Sequence, residues 1–224
     1  MSAAKKTEHQ LKREVADASS VLWDRGWVAN HDGNITALQG PGHIVATPTS
    51  FSKRTCTADQ LIVVDEERRV VRGRNRPFSE LGLHLLVYRH RKDVGAVVHA
   101  HPPFATARAC AGQSLPCFLP ESVVSLGREV PLVPFAAPGT ASEKSLGPYV
   151  EPYDVVLLAQ HGVISWGVDV EQAMLRLELA EHLAHIAYRA EVHGGVRPLP
   201  DALVRELLGK RAKAGLGPEG RAAR

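Results

Sequence analysis

Short apolar runs of strand character alternate with helical patterns along this chain, but without the regular strand–helix–strand rhythm of a parallel fold. Several runs come in pairs joined by tight turns, such as those around Ile35 and Ile44, which flank Gly40-Pro41-Gly42. Strands joined so closely pair antiparallel. Together with the helices, this pattern predicts an α/β fold of three layers, with a mixed, largely antiparallel sheet between helices.

Apolar residues at helical spacing predict where the helices begin and end. One helix is expected from Glu8 to about Trp27, and the longest helix is expected to follow Asp169 as its cap and to end at Gly194. Ser79 is expected to cap a helix over residues 80–91, and Pro103 to open a helix of small residues.

Composition excludes several kinds of protein. A length of 224 residues suits a single domain, and a net charge of +3 is too small to indicate nucleic-acid binding. No apolar run approaches the roughly 20 residues that cross a bilayer, so no membrane association is expected. Three cysteines without a C-x-x-C pair, and an N-terminus without an apolar segment, predict a reducing, cytoplasmic location. The basic C-terminal tail is predicted to be frayed and solvated.

Two histidines one residue apart end the predicted strand GAVVHAH (95–101). Residues i and i+2 of a strand point to the same face, so His99 and His101 project side by side and can grip one cation. Two histidines satisfied by backbone or carboxylate partners would give the same pattern, so the pair alone leaves both interpretations open.

His161 and Glu80 are two further candidate ligands. His161 ends another buried run, where a polar residue is unexpected unless it faces a site, although a strand-end histidine that meets solvent is the alternative. Glu80 begins a predicted helix, where a carboxylate also complements the helix dipole. Three imidazoles and one carboxylate make a tetrahedral set for Zn2+, and exchange of the carboxylate for substrate would make the site catalytic.

Six segments together resemble the class II aldolase/adducin family: GNIT (33–36), ATPTS (46–50), PFSELGLH (77–84), AVVHAHPPFATA (96–107), VPFAAPGT (133–140) and LLAQHGVISWG (157–167). The resemblance runs from about Leu11 to His193. It implies one family domain over residues 1–224, with its core at about 11–193 and a C-terminal extension over 194–224. Family enzymes include L-fuculose-1-phosphate aldolase and are tetramers with the site at a subunit interface, so a homo-oligomer, a tetramer by resemblance, is implied.

The resemblance also implies what the site does. His99, His101 and His161 would hold zinc, with Glu80 as the resting fourth ligand that the substrate displaces and that then acts as general acid and base. The implied reaction is cleavage of a C–C bond of a small ketose phosphate through a metal-stabilised enediolate. Mn2+, Fe2+ or Co2+ would also suit these ligands. The residues implied to bind the substrate phosphate, which are also ordinary turn residues, are Gly33, Asn34, Thr49, Ser50 and Ser79.

Departures from the family pattern affect the substrate. Family aldolases carry Pro-Ser-Ser-Glu where this chain has Phe78 in place of the first serine, so an apolar ring is expected beside the anion site. The stretch over residues 117–129 lacks the family's proton-donating tyrosine, and Glu121 or a water is expected to substitute. Glu181 matches a family glutamate and is expected either to orient a metal histidine or to lie on a solvated helix face.

Two alternatives to the aldolase function therefore stay open. The first is metal-dependent decarboxylation of a hydroxy-aromatic or sugar-acid carboxylate, which needs the same electron sink. The second is a non-catalytic binding module like the adducin head. The binding module is disfavoured because it has no use for three histidines and a glutamate in register.

Overall fold

The computed structural model describes residues 6–223, so residues 1–5 and 224, at the ends of the predicted domain, lie outside the description. The described chain forms an α/β fold in which a mixed sheet lies between helices, which confirms the predicted class. The strands are β1 (Asn34–Gly40), β2 (His43–Ala46), β3 (Ile62–Val64), β4 (Val70–Arg72), β5 (Ala96–Ala100), β6 (Leu115–Pro116), β7 (Glu129–Val130), β8 (Leu132–Val133), β9 (Val155–Leu158) and β10 (Gly162–Gly167). The helices are α1 (Glu8–Asp24), α2 (Leu81–His90), α3 (Pro103–Cys110), α4 (Pro120–Leu126), α5 (Thr140–Val150), α6 (Val170–Ala190), α7 (Asp201–Lys213) and α8 (Gly217–Ala222).

The main sheet has the strand order β4-β3-β2-β1-β5-β10-β9-β8. Each neighbouring pair in it is antiparallel except β8 and β9, which are parallel. Strand β5 lies at the centre, and its His99 is opposite Asn34 of β1 on one side and Ile164 of β10 on the other. His99 therefore lies near the end of a central strand, between neighbouring strands on both sides.

Both faces of the strands β5, β9 and β10 are buried, which explains the continuous apolar runs in the sequence. Successive residues of a strand alternate between two cores: Val98 packs in the core under α1, α3 and α6, whereas Val97 packs in the core under α2 and α5. Among the helices of the described chain, none combines the length and the apolar character needed to cross a membrane.

The predicted caps are correct at α6 but not at α2. Asp169 caps α6 by accepting a hydrogen bond from the Gln172 N–H at 2.8 Å, as expected. Helix α2 begins at Leu81, with Glu80 rather than Ser79 as its N-cap residue, and Ser79 is exposed. The Glu80 side chain makes no capping hydrogen bond, because its carboxylate is held by the residues described in the next subsection.

The prediction of a frayed C-terminal tail is wrong. Residues 201–222 form the helices α7 and α8, and the Arg211 side chain is only 4% exposed. Its guanidinium donates to the buried Asp154 carboxylate at 2.7 Å. Burial of a carboxylate requires cationic partners, and three more arginines lie around Asp154: Arg91, Arg176 and Arg221. The tail is thus fastened to the domain by a charge network between residues distant in sequence.

Candidate metal site

The three predicted histidines meet at one end of the central strands. His99 lies on β5 and His101 follows it, with its backbone N–H donating to the Trp27 carbonyl at 2.8 Å. His161 lies in the turn that joins β9 to β10. Gly162 makes this meeting possible, because a Cβ at that position would lie 2.5 Å from His101 Cδ2.

One ring nitrogen from each histidine lies within 4.8 Å of the others. The His99 Nδ1–H donates to the Val163 carbonyl at 2.9 Å, and since a carbonyl can only accept, Nε2 of His99 carries the lone pair. That lone pair faces His101 Nε2 at 3.1 Å. Inward-facing imidazole nitrogens at this spacing are what a shared cation requires.

Glu80 completes this group from the start of α2. Its Oε1 lies 3.0 Å from His161 Nε2, and its Oε2 lies 3.6 Å from His99 Nε2. The Asn34 amide Nδ2–H donates to Oε2 at 3.0 Å, which fixes the orientation of the carboxylate. The structure therefore brings together all four of the predicted ligands.

Electrostatics keep these groups in the protonation states that ligate metals. Burial lowers the pKa of His99 to about 4. The Glu80 carboxylate opposes this shift, and the imidazoles of His161 and His101 add to it. Burial also lowers the pKa of His101. Burial alone would raise the pKa of Glu80, but His99, His161 and the Asn34 amide outweigh it and hold the pKa well below its usual range. At neutral pH the donor set therefore includes neutral imidazoles and a carboxylate, which fits Zn2+ and also Mn2+, Fe2+ or Co2+.

Two acidic residues support the site from outside. Asp32 Oδ2 lies 3.8 Å from His101 Nδ1 and can orient that ring, a contact that the sequence analysis missed because Asp32 reads as an ordinary turn residue. Glu181 accepts hydrogen bonds from the backbone N–H groups of Phe104 (3.1 Å) and Ala105 (2.8 Å). Glu181 is therefore neither solvated nor bonded to a metal histidine, and it holds the start of α3 just after His101.

The segments predicted to bind a phosphate lie next to one another. Strand β1 begins at Asn34 beside the end of β2, and a bridge between Pro48 and Pro77 brings the loop after β2 against the segment that precedes Glu80. Gly33 has a φ of +70°, and a Cβ there would lie 2.5 Å from Val28 Cγ1, so this position requires glycine. We refer to Gly33, Asn34, Thr49, Ser50 and Ser79 as the anion cradle.

Two other predicted residues lie away from this place. The Phe78 ring is only 7% exposed and packs edge-on against His84 in the core under α2, with ring centroids 5.1 Å apart. The expectation that Phe78 lines the anion site is therefore wrong, since a large apolar side chain is more stable in the core. Glu121 is exposed in the first turn of α4, and no hydrogen bond to it or ion pair with it is found in residues 6–223.

A cleft of about 370 Å³ opens beside Glu80 and His161. Its walls are mostly apolar and come from α2, β8, β9 and the loop that leads into α5. Members of this wall are Leu83, Val133, Pro134, Phe135, Ala136, Pro138 and Leu158, and polar groups at its edge include Ser79, Ser142 and Ser145. A small organic molecule can therefore reach the candidate metal ligands from this side.

Known proteins resemble this chain in both sequence and fold. The family model described as "Class II Aldolase and Adducin N-terminal domain" matches residues 13–188. The L-ribulose-5-phosphate 4-epimerase UlaF of Salmonella paratyphi A is 30% identical over 213 residues, which cover 87% of this chain and 92% of the relative. An L-fuculose phosphate aldolase of Methanococcus maripaludis is 28% identical over 169 residues, 75% of this chain and 91% of the relative. The crystal structure of Escherichia coli YgbL, described as a putative aldolase/epimerase/decarboxylase, superposes with a TM-score of 0.83 at 28% identity, covering 90% of this chain and 99% of that one.

Proposed function

Because the chain belongs to the class II aldolase and adducin family, we propose that it is a metal-dependent lyase that cleaves a C–C bond of a small ketose phosphate. The observation that carries this proposal is the position of Glu80. Its carboxylate contacts His161 and lies beside His99, and it opens onto the cleft. A carboxylate that can carry a proton and lies beside three potential ligands of a cation suits proton transfer at a carbon or oxygen next to a carbonyl group.

The metal we propose is Zn2+, held by His99, His101, His161 and, in the resting state, Glu80. When bound, the cation supplies a Lewis acid that stabilises the negative charge developing on the substrate's carbonyl oxygen. The low pKa values of His99 and His101 support this assignment, because neutral imidazoles do not have to lose a proton before they ligate.

Glu80 moves the proton in this proposal. In the cleavage direction its carboxylate accepts the proton of the hydroxyl group on the carbon beyond the scissile bond. The electron pair of that bond passes toward the carbonyl oxygen, and the aldehyde half leaves. Glu80 then returns its proton to the carbon that remains. In its resting position the carboxylate is oriented by Asn34 through a 3.0 Å hydrogen bond.

The anion cradle would hold the substrate phosphate. Hydroxyl groups, one amide and the backbone at Gly33 suit a phosphate group, and Ser50 and Ser79 are exposed there. Asn34 links the cradle to Glu80 directly. A substrate whose phosphate lies in the cradle would therefore place its neighbouring carbonyl near the histidines.

We further propose that the chain forms a homo-oligomer, a tetramer by its family resemblance. The family of the chain supports this proposal, and Phe135, 66% exposed at the rim of the cleft, lies where a neighbouring copy could cover it. A neighbouring copy could then offer Glu121, which is exposed, as a proton donor. Light scattering of the purified chain measures the assembly directly.

A decarboxylase remains the second candidate, on a specific observation. The walls of the cleft beside Glu80 are largely apolar and would accept a flat or weakly charged substrate, while a carboxylate could occupy the anion cradle. Loss of CO2 leaves the same electron pair beside a carbonyl as C–C cleavage does. The description of the similar YgbL also includes this activity.

A substrate panel on the zinc-loaded protein tests the proposal. The first arm measures release of dihydroxyacetone phosphate from deoxy-ketose phosphates, the second measures epimerisation of pentulose phosphates, and the third measures CO2 release from hydroxy-aromatic and sugar-acid carboxylates. We expect turnover in the first arm. Turnover confined to the second or third arm would replace the proposed reaction by epimerisation or decarboxylation.

A further inference from the structure

Lys53 is a buried ammonium group. Its side chain is only 2% exposed, and within residues 6–223 it forms no ion pair with a carboxylate. Nζ donates to two backbone carbonyls, at 3.2 Å to Phe51 and at 3.4 Å to His31. Burial lowers the pKa of Lys53, against the opposing influence of Cys56 and Asp32.

The two carbonyls belong to the two loops of the anion cradle. His31 lies two residues before Gly33, and Phe51 directly follows Ser50. Thr47, at the end of β2, also ties these loops together, because its hydroxyl accepts from the Ile35 N–H at 3.1 Å. Lys53 therefore joins the two loops that carry most of the cradle residues.

A buried ammonium without a counter-charge is costly. Two carbonyls compensate only part of that cost, because an ammonium has three donors and a full charge. Asp32 is the carboxylate whose charge acts on Lys53, but it is half exposed and extends toward His101, 3.8 Å away. An anion in the cradle would supply the missing charge.

We propose that Lys53 is a specificity-determining residue of the anion cradle, whose ammonium selects a phosphate monoester dianion over a neutral or singly charged group. The inference rests on the proposed function, because it takes the cradle as the place of the substrate phosphate. Lys53 is buried behind the loop carbonyls that it joins, so the phosphate contacts the cradle residues while the ammonium balances its charge. A neutral methionine or leucine at this position would leave the two carbonyls without this donor and the dianion unbalanced.

The test measures binding of inorganic phosphate to the full, zinc-loaded chain by titration calorimetry, with acetate as the singly charged probe. Lys53→Gln removes the charge and keeps two N–H donors, on a side chain that is one bond shorter. We expect it to weaken phosphate binding at least tenfold and acetate binding much less. Arg54→Gln is the matched control, since Arg54 is the exposed neighbour of Lys53 and its guanidinium lies 6.0 Å from the Trp23 ring of α1. The control should bind phosphate within twofold of the wild type.

Equal phosphate affinity in Lys53→Gln and the wild type would overturn the inference. A second measurement needs no neutral variant and uses wild-type protein labelled with [ε-13C]lysine. The NMR signal of Lys53 is identified by its absence in Lys53→Arg. Phosphate should raise the pKa that this signal reports for the Lys53 amine. A pKa unchanged by saturating phosphate would also overturn it. Failure of the proposed function gives a different result, because phosphate binding would persist without C–C cleavage.

Discussion

Glu80 Oε1 lies 3.0 Å from Nε2 of His161, although Glu80 precedes α2 and His161 follows β9. The contact places a carboxylate beside the imidazole that is the most open of the three to the cleft. In the proposed reaction this contact is the resting position of Glu80, from which the substrate would displace the carboxylate.

Replacing Glu80 by Gln should remove the proton carrier while leaving the three histidines. We expect kcat to fall by about 100-fold to 10,000-fold, as for loss of a general acid or base, whereas the metal content should change little. Steady-state kinetics and metal analysis on the same samples check this. Glu178→Gln, on the exposed surface of α6, is the control and should keep its activity. Retained activity in Glu80→Gln would remove Glu80 from the mechanism.

Glu181→Gln should weaken metal binding without touching a ligand. The amide keeps one acceptor oxygen for the two N–H groups at the start of α3, so the segment after His101 is held less firmly. Residues that support metal ligands typically change affinity by about 10-fold to 100-fold. Competition with a chelator of known affinity measures the change, and an affinity equal to that of the wild type would limit Glu181 to a structural role.

The stability of the metal-free protein should rise with pH between about 4 and 6.5. Burial lowers the pKa of His84 to about 3 and that of His99 to about 4, so the unfolded chain binds protons that the folded chain does not. Each such group contributes a slope of up to about 1.4 kcal/mol per pH unit. Urea unfolding across this range, in the wild type and in His84→Asn, tests the sign. The variant should have the shallower slope, and an equal slope would contradict the burial of a neutral His84.

Asp154→Asn should destabilise the fold more than a surface substitution does. Removal of one partner from a buried ion pair costs about 3–5 kcal/mol, and Asp154 is fully buried among four arginines. Asp93→Asn, which loses only the half-exposed partner of Arg91, is the control and should cost about 1 kcal/mol or less. The free energy of unfolding in urea at pH 7 measures both. A tail that unfolds independently of the core would contradict the network.

The sequence predicted the sheet and the proximity of His99 and His101 because both follow local rules. Alternation places His99 and His101 together, and turn chemistry identifies the hairpins. What it did not predict depends on packing between distant segments. The side chain of Phe78 points into the core, Asp154 pairs with arginines from three helices and with the residue after α2, and Lys53 donates to carbonyls of two loops. The periodicity of the sequence does not indicate these contacts.

The metal content of the purified chain tests the central claim most directly. Protein prepared without chelator, analysed by inductively coupled plasma mass spectrometry, should carry about one divalent cation per chain, with zinc the expected metal. His161→Ala should lose most of it, while His185→Ala, whose ring stacks on Phe104 outside the group of ligands, should keep it. Wild-type protein without stoichiometric divalent metal, unable to take up zinc on dialysis, would contradict the account.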